Sequence, residues 1–262
     1  MKAPEFLNHL RSQGRWSFSI EEAENALQVD RVATLNALSR LKKNKLIVSP
    51  AKSFYLIMTP EYQVLGCLPA EMFISDLMKY WNQPYYVSFL SAAQFYGAAH
   101  QKPQALQVVT LKNRRPIRCG RVTINFISNQ HVTFMPTRPF NTLSGTMAIA
   151  TPEVIALDIL SNQRHAAGMN NIATILLELA ENLNAEKLAM LAKTYPETFW
   201  LQRLGYLLEV LGQPSLADAV LEITKGKTLS WIRLVPSASS TELQRNEKWK
   251  IIVNFNVEPD DV

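Results

Sequence analysis

Two groups of basic and amide side chains are the residues of this sequence best suited to chemistry. In the first, Asn36 and Arg40 stand four residues apart, the spacing that makes two side chains neighbours on one helix face. Asn bonds adenine and Arg bonds guanine in bidentate fashion, so the pair is equipped to read base edges in a DNA major groove. Ala33 and Ala37 keep that face slim, and Arg31 and Asn44 extend it. Lys42, Lys43, Lys45 and Lys52 are point charges of the kind that grip phosphates, which fixes register without reading sequence. The second group is LKNRRPIRCGR, Leu111 to Arg121, where Lys112, Arg114, Arg115, Arg118 and Arg121 have no acid among them, and Arg138 follows downstream.

Each group also has a plain structural alternative. A lysine run at a helix end is solvated and complements the helix dipole without any ligand. The arginine-rich stretch is compatible with a localisation-like run, with a solvated loop, or with a hairpin turn whose arginines pair with acidic C-terminal helices. As a functional surface it suits phosphate and an acidic protein partner about equally, and the sequence leaves that choice open.

Catalytic patterns are not found. The sequence has no GxxxxGK[ST] phosphate loop, GxGxxG turn, GxSxG elbow or HExxH pair. His9, His100, His131 and His165 are scattered, with no second ligand at metal spacing, and read as surface or satisfied core residues. A metal-dependent nuclease needs clustered carboxylates, yet not one Asp or Glu occurs between Leu77 and Pro152. Acids from the C-terminal helices could still reach that region, which keeps an enzyme as an alternative. The expectation is a chain with no catalytic residues, no metal and no cofactor.

The distribution of charge agrees with an anionic partner. The chain has 262 residues and a net charge of +5, with a pI near 9.2. Residues 1–60 hold nine Lys/Arg against five acids, and the acid-free stretch from Leu77 to Pro152 adds eight more cations. From Glu153 onward acids exceed bases, so a basic front half and an acidic back half are expected. Cys67 and Cys119 are far apart and form no CxxC array, which argues for a reducing cytoplasm over a disulfide framework. The N-terminus lacks a continuous apolar signal region, and no run of about 18 apolar residues suggests a membrane span.

These side chains must be held by an ordered set of elements. Residues 4–12 form a short helix ended by Gly14, and Trp16–Phe18 is extended. Ser19 and Glu22 then make a capping box for a helix over Ile20–Leu27. Asp30 caps a third helix, Arg31 to about Lys43. On a helical wheel, Leu35 and Leu38 centre its buried arc, with Val32 and Leu41 at the margins and Asn36, Arg40 and Lys43 opposite. Leu46–Val48 and Phe54–Met58 flank the turn Ser49–Ser53 as a hairpin. Three helices and a hairpin in this order specify a winged helix-turn-helix.

Beyond Thr59-Pro60 the pattern predicts helices over Ala70–Tyr80 and Tyr86–Ala99. Strands follow over Leu106–Leu111 and Val122–Ile127, joined by the basic stretch as a hairpin turn, and another at Thr146–Ala150. Thr151-Pro152-Glu153 starts a helix. Further helices fall at 172–183, 185–194, 198–211, where Gly205 weakens the pattern, and 214–223. Strands over 229–234 and 250–257 surround a serine-rich loop. The fold class is α+β: a winged helix-turn-helix over 1–66, then a larger mixed α/β domain over 67–262 with a small β-rich region and several C-terminal helices.

The segment YYVSFLSAAQFYGAAHQKPQALQVVTLKNRRPIRCGRVTINFI, followed by TPEVIALDIL, resembles the AbiE-type antitoxin family. The residues that carry the resemblance are Tyr85-Tyr86-Val87-Ser88, Ser91-Ala92, Tyr96-Gly97, Val108-Val109-Thr110 with Arg114-Arg115, and Thr151-Pro152-Glu153. Asn246-Glu247-Lys248-Trp249-Lys250 running into Val253-Asn254 is similar as well. The resemblance implies the antitoxin and regulator half of a bacterial type IV toxin–antitoxin system, active in abortive infection and phage defence. It further implies a winged helix that binds inverted repeats in the operon's own promoter. Its larger domain would counteract a nucleotidyltransferase-like toxin without a stable complex. A nuclease with a winged-helix targeting domain, and an adaptor docking an acidic protein, are the alternatives.

Overall fold

The computed structural model describes residues 1–98, 103–238 and 244–259. Ala99, at the end of one expected helix, His100, Lys102 and the Ser239-Ser240 part of the serine-rich loop lie outside the described residues. The chain divides into two compact units. One comprises Met1–Val87, Gln104–Thr133 and Pro139–Ala148, and the other Ser88–Pro103, Phe134–Arg138 and Ile149–Val262.

The first unit begins with apolar residues at helical spacing. Phe6, Leu7 and Leu10 bury one side of α1 (Ala3–Ser12). β1 (Ser17–Ser19) leads directly into α2 (Ile20–Leu27). The capping box forms as its residue types dictate: the Glu22 amide donates to Ser19 Oγ at 3.2 Å, and the Ser19 amide donates to Glu22 Oε2 at 2.8 Å. α3 (Arg31–Lys43) starts where the Ala33 amide donates to Asp30 Oδ1 at 2.7 Å. Each such cap contributes about 1 kcal/mol. β2 (Ile47–Ala51) and β3 (Phe54–Ile57) complete an antiparallel sheet of order β1-β3-β2. Its core joins Phe6, Leu10, Phe18, Ile20, Ala23, Leu38, Leu41, Ile47 and Ile57. Phe18 meets the Phe6 ring edge-on at 5.2 Å and stacks on Tyr55 at 5.4 Å.

The turn between β2 and β3 is tighter than the proline suggested. Ala51 pairs with Phe54, so the strand runs through Pro50 and only Lys52-Ser53 remain as the loop. A register shift between Val48 and Ala51 absorbs Ser49-Pro50, as expected for a proline that cannot donate to the ladder.

A short connection leads to α4 (Ala70–Tyr80), which packs against the second sheet of this unit. Its strands are β4 (Tyr85–Val87), β5 (Leu106–Thr110), β6 (Ile117–Cys119), β7 (Val122–Ser128), β8 (Thr137–Thr142) and β9 (Gly145–Ala150), in the order β6-β7-β5-β4-β9-β8. Two expectations are corrected here. Tyr85-Tyr86-Val87 is a strand and not the start of a helix, because these β-favouring residues pair antiparallel with Val108–Thr110. β5 and β7 are parallel neighbours, Val108 opposite Phe126, so the basic stretch is not a turn between them. A parallel pair requires a crossover, and residues 111–121 provide it. They also contribute β6, an edge strand antiparallel to β7.

The second unit is mainly helical. α5 (Phe89–Ala93) tightens into a 3-10 turn, Gln94–Tyr96. α6 (Pro152–Ser161) starts with Thr151 as cap residue and Pro152 in its first turn, but the Thr151 hydroxyl makes no capping bond. Every residue from Pro152 to Leu160 is buried, so α6 is surrounded and shows no polar face. α7 (Met169–Leu179), α8 (Ala185–Thr194), α9 (Phe199–Val210) and α10 (Pro214–Thr224) follow. α7 begins three residues before the expected start and gives way to a 3-10 turn at Ala180–Asn182.

The strands expected at 229–234 and 250–257 shorten to β10 (Ile232–Arg233) and β12 (Ile251–Val253), with β11 (Gln244–Asn246) on the far side of β12. Gly205 in α9 has a packing reason: a Cβ there would lie 2.1 Å from the Trp249 ring. The Asn246–Lys250 motif is the turn that delivers this tryptophan. Asn246 Oδ1 accepts from the Trp249 amide at 3.0 Å, and the indole donates to Glu209 Oε2 at 2.8 Å. Gln202 of α9 donates to the carbonyls of Ser230 and Trp249 at 2.8 and 2.9 Å.

Candidate nucleic-acid interface

α3 is held by three residues on one side, Thr34, Leu38 and Leu41. This rotates the expected arc. Leu35, taken as central, is 45% exposed, and Val32, taken as marginal, is 68% exposed. The physical reason lies in Thr34, which occupies the inner row at i, i+4 and i+7 with Leu38 and Leu41. Hydropathy alone ranks it below Leu35. Thr34 is fully buried, and its hydroxyl has no partner among the described residues.

The outward face therefore carries Val32, Leu35, Asn36, Ser39, Arg40 and Lys43, all exposed. Ala33 is exposed beside them, whereas Ala37 is half-buried against the core. Lys42 in the last turn is exposed, and Asn44 and Lys45 continue the exposed surface past the end of the helix. Arg31 is exposed too, but its charge is partly answered by Glu24 at 3.3 Å and Glu21 at 3.7 Å. The α3 segment itself contains no acid. Lys45 takes a left-handed conformation, φ 56°, at the helix end. Glycine usually fills such a position, and a side chain there costs about 1–2 kcal/mol. A cation is held at this place against a conformational cost. Lys52 is exposed at the β2–β3 turn.

The basic stretch lies in the same unit. Lys112, Arg115, Arg118 and Arg121 are exposed. Arg114 is half-buried, with its guanidinium 4.1 Å above the Trp81 ring, and Trp81 in turn leans on Phe126 at 5.8 Å. The β6–β7 turn is fastened to the connection after β3. The Arg121 amide donates to the Leu65 carbonyl at 2.7 Å. Gly120, at φ +57°, lies so close that a Cβ would be 2.1 Å from the same carbonyl oxygen. The buried thiols of Cys67 and Cys119, each close in sequence to this contact, share a hydrogen bond. That bond, followed by burial, pushes the Cys67 thiol up. The same bond draws Cys119 down against the effect of burial, and the Lys42 charge assists.

β6 packs against β2. Lys42 at the end of α3 and the basic hairpin are thus brought together within one unit. This juxtaposition has no local signature, because nothing in the neighbouring residues links position 42 to position 119. Arg138 belongs to the second unit, where its guanidinium stands 4.0 Å over the Tyr96 ring and reaches the Phe95 carbonyl at 3.5 Å.

Among the described residues no group of three or more His, Cys, Asp or Glu side chains is arranged to hold a metal ion. No helix among them is long and apolar enough to cross a membrane. The exposed residues missed by sequence reasoning are Val32 and Leu35, which the wheel had assigned to the interior.

Comparison with known proteins adds two findings. The family model of the AbiEi antitoxin C-terminal domain matches residues 86–210. Among solved structures, the crystal structure of the RV2827C protein from Mycobacterium tuberculosis is similar with a TM-score of 0.70 at 16% identity, covering 95% of this chain and 90% of that one. That likeness is one of fold. No curated protein matches.

Proposed function

From the premise that this chain belongs to the AbiE-type antitoxin family, which residues 86–210 establish, we propose that it is the antitoxin and autoregulatory repressor of a type IV toxin–antitoxin operon. Residues 1–66 act as a winged helix-turn-helix that binds inverted repeats in the promoter. Residues 67–262 counteract a nucleotidyltransferase-like toxin without forming a stable complex with it. The protein works in the cytoplasm, as a regulator and not as an enzyme, and needs no cofactor.

The observation that carries the DNA-binding part is the outward face of α3: acid-free, bearing Asn36 and Arg40 on adjacent turns, and bordered by Lys42, Lys43 and Lys45. The element order α1-β1-α2-α3-β2-β3, with sheet order β1-β3-β2, supports the winged-helix reading. In this assignment α3 enters the major groove and Lys52 in the β2–β3 turn meets the backbone as the wing. Asn36 and Arg40 read bases, while Lys42, Lys43, Lys45 and Lys52 neutralise phosphates. The basic hairpin, packed beside β2, extends the same positive surface. Its exposed cations Lys112, Arg115, Arg118 and Arg121 add phosphate contacts.

A reporter fused to the chain's own upstream region tests the assignment together with growth rescue. The full chain represses the reporter and relieves the toxicity of the neighbouring nucleotidyltransferase gene. Arg40→Ala releases repression and leaves rescue intact. Rescue lost together with repression in Arg40→Ala would refute the division of labour between the two parts.

A further inference from the structure

Val32 and Leu35 lie on the outward face of α3 beside Asn36, one helical turn or less apart, and are 68% and 45% exposed. Val29, immediately before the Asp30 cap, is exposed as well. Single exposed apolar residues need no explanation. Here, however, two of them occupy the same half of the helix as the amide proposed to read a base. Arg31 in that half is partly answered by Glu24 and Glu21, and Arg40, Lys42 and Lys43 occupy the other half. The N-terminal half of a recognition helix is the part that meets base edges. In the major groove the apolar feature available to it is the thymine 5-methyl group.

We propose that Val32 and Leu35 are specificity-determining residues that pack on thymine methyl groups in the operator, next to the base read by Asn36. This rests on the DNA-binding assignment above and deepens it. Charge selects duplex DNA over other occupants of this apolar ridge. Arg40, Lys42, Lys43 and Lys45 border it, and α3 offers no acid to a basic partner. A second copy docking through the same face would bring these cations against their own counterparts, since a two-fold interface is self-complementary.

The test uses the full chain and the duplex it protects in its own upstream region. Each thymine in the protected site is replaced singly by deoxyuridine, which removes the methyl group and keeps every hydrogen-bonding atom. Affinity is measured by fluorescence anisotropy at one fixed salt concentration. At one or two positions the replacement weakens binding by about fourfold, the effect of losing one buried methyl group. In Val32→Ala or Leu35→Ala, thymine and deoxyuridine duplexes bind equally at one of those positions. Both residues are exposed, so neither variant removes core packing. Lys43→Ala weakens both duplexes alike and preserves their ratio.

Site-specific binding that is indifferent to every thymine replacement overturns this inference and leaves the DNA-binding assignment standing. Retention of the full thymine preference in both alanine variants overturns it as well. Failure to bind the upstream duplex more tightly than a shuffled one overturns the assignment itself and this inference with it.

Discussion

Replacing Gly120 by alanine separates two effects that the β6–β7 turn combines. The first is conformational: at φ +57° an L side chain loses about 1–2 kcal/mol. The second is steric. The new Cβ would stand 2.1 Å from the Leu65 carbonyl oxygen and 2.7 and 2.8 Å from Gly66 backbone atoms. Main chain cannot rotate aside as a side chain can. The turn must lift away, which strains or breaks the 2.7 Å bond from the Arg121 amide to Leu65. Overpacking of this kind adds about 1–3 kcal/mol, and the lost hydrogen bond about 1 kcal/mol more. The total is roughly 3–6 kcal/mol, a large part of the stability of an ordinary domain.

Gly14 supplies the control in the same unit: its φ is +70° and no heavy atom lies within 4 Å of its Cβ position. Gly14→Ala therefore loses the conformational part alone, about 1–2 kcal/mol. Equilibrium urea unfolding of both variants, followed by tryptophan fluorescence, measures the difference. Gly120→Ala is expected to be the less stable by about 2 kcal/mol or more. Equal losses in the two variants would show that the hairpin is not fastened to the Leu65-Gly66 segment, and the reasoning would fall.

Two further outcomes are expected. Gly205→Ala destabilises by about 1–3 kcal/mol despite alanine's higher helix propensity, because its Cβ would overlap three Trp249 ring atoms. Combining it with Trp249→Leu, which vacates that space, shows favourable coupling in a urea double-mutant cycle, whereas simple additivity would contradict the contact. His165 has its pKa lowered from the ordinary 6.5, chiefly by burial and further by Arg164. The unfolded chain therefore takes up a proton at His165 before the folded chain does. The stability tied to neutral His165 is intact above about pH 6.5 and declines as the pH falls toward the lower folded value. His165→Gln reduces the slope of stability between pH 7 and 5, and an unchanged slope would contradict the shift.

Local chemistry was legible in the sequence where one residue decides the outcome. Ser19, Glu22 and Asp30 fix helix starts through bonds to neighbours three residues away, and α2 and α3 begin where those residues place them. Tertiary pairing was not legible. Tyr85-Tyr86-Val87 has helical spacing with Phe89 and Leu90, yet its partner is a strand more than twenty residues away. The parallel alignment of β5 and β7 is equally invisible, because the intervening basic stretch has the length and composition of a turn. On α3 the identity of the outward residues depended on a buried threonine that hydropathy does not place inside. Asn36 and Arg40 are exposed on the face where spacing and residue type place them. Val32 and Leu35 became visible as surface residues once the fold had turned the helix.

The most direct test of the central claim is the affinity of the purified chain for its own upstream duplex and a shuffled duplex across a salt series. Four phosphate contacts, from Lys42, Lys43, Lys45 and Lys52, give a log–log slope near −3.6, or about a hundredfold loss between 50 and 200 mM salt. Participation of the four exposed hairpin cations steepens the slope to about −7. The account predicts a steep slope, tighter binding to the upstream duplex, and a preference that Arg40→Ala erodes while Lys43→Ala weakens both duplexes alike. Equal, weak binding to both duplexes would contradict it.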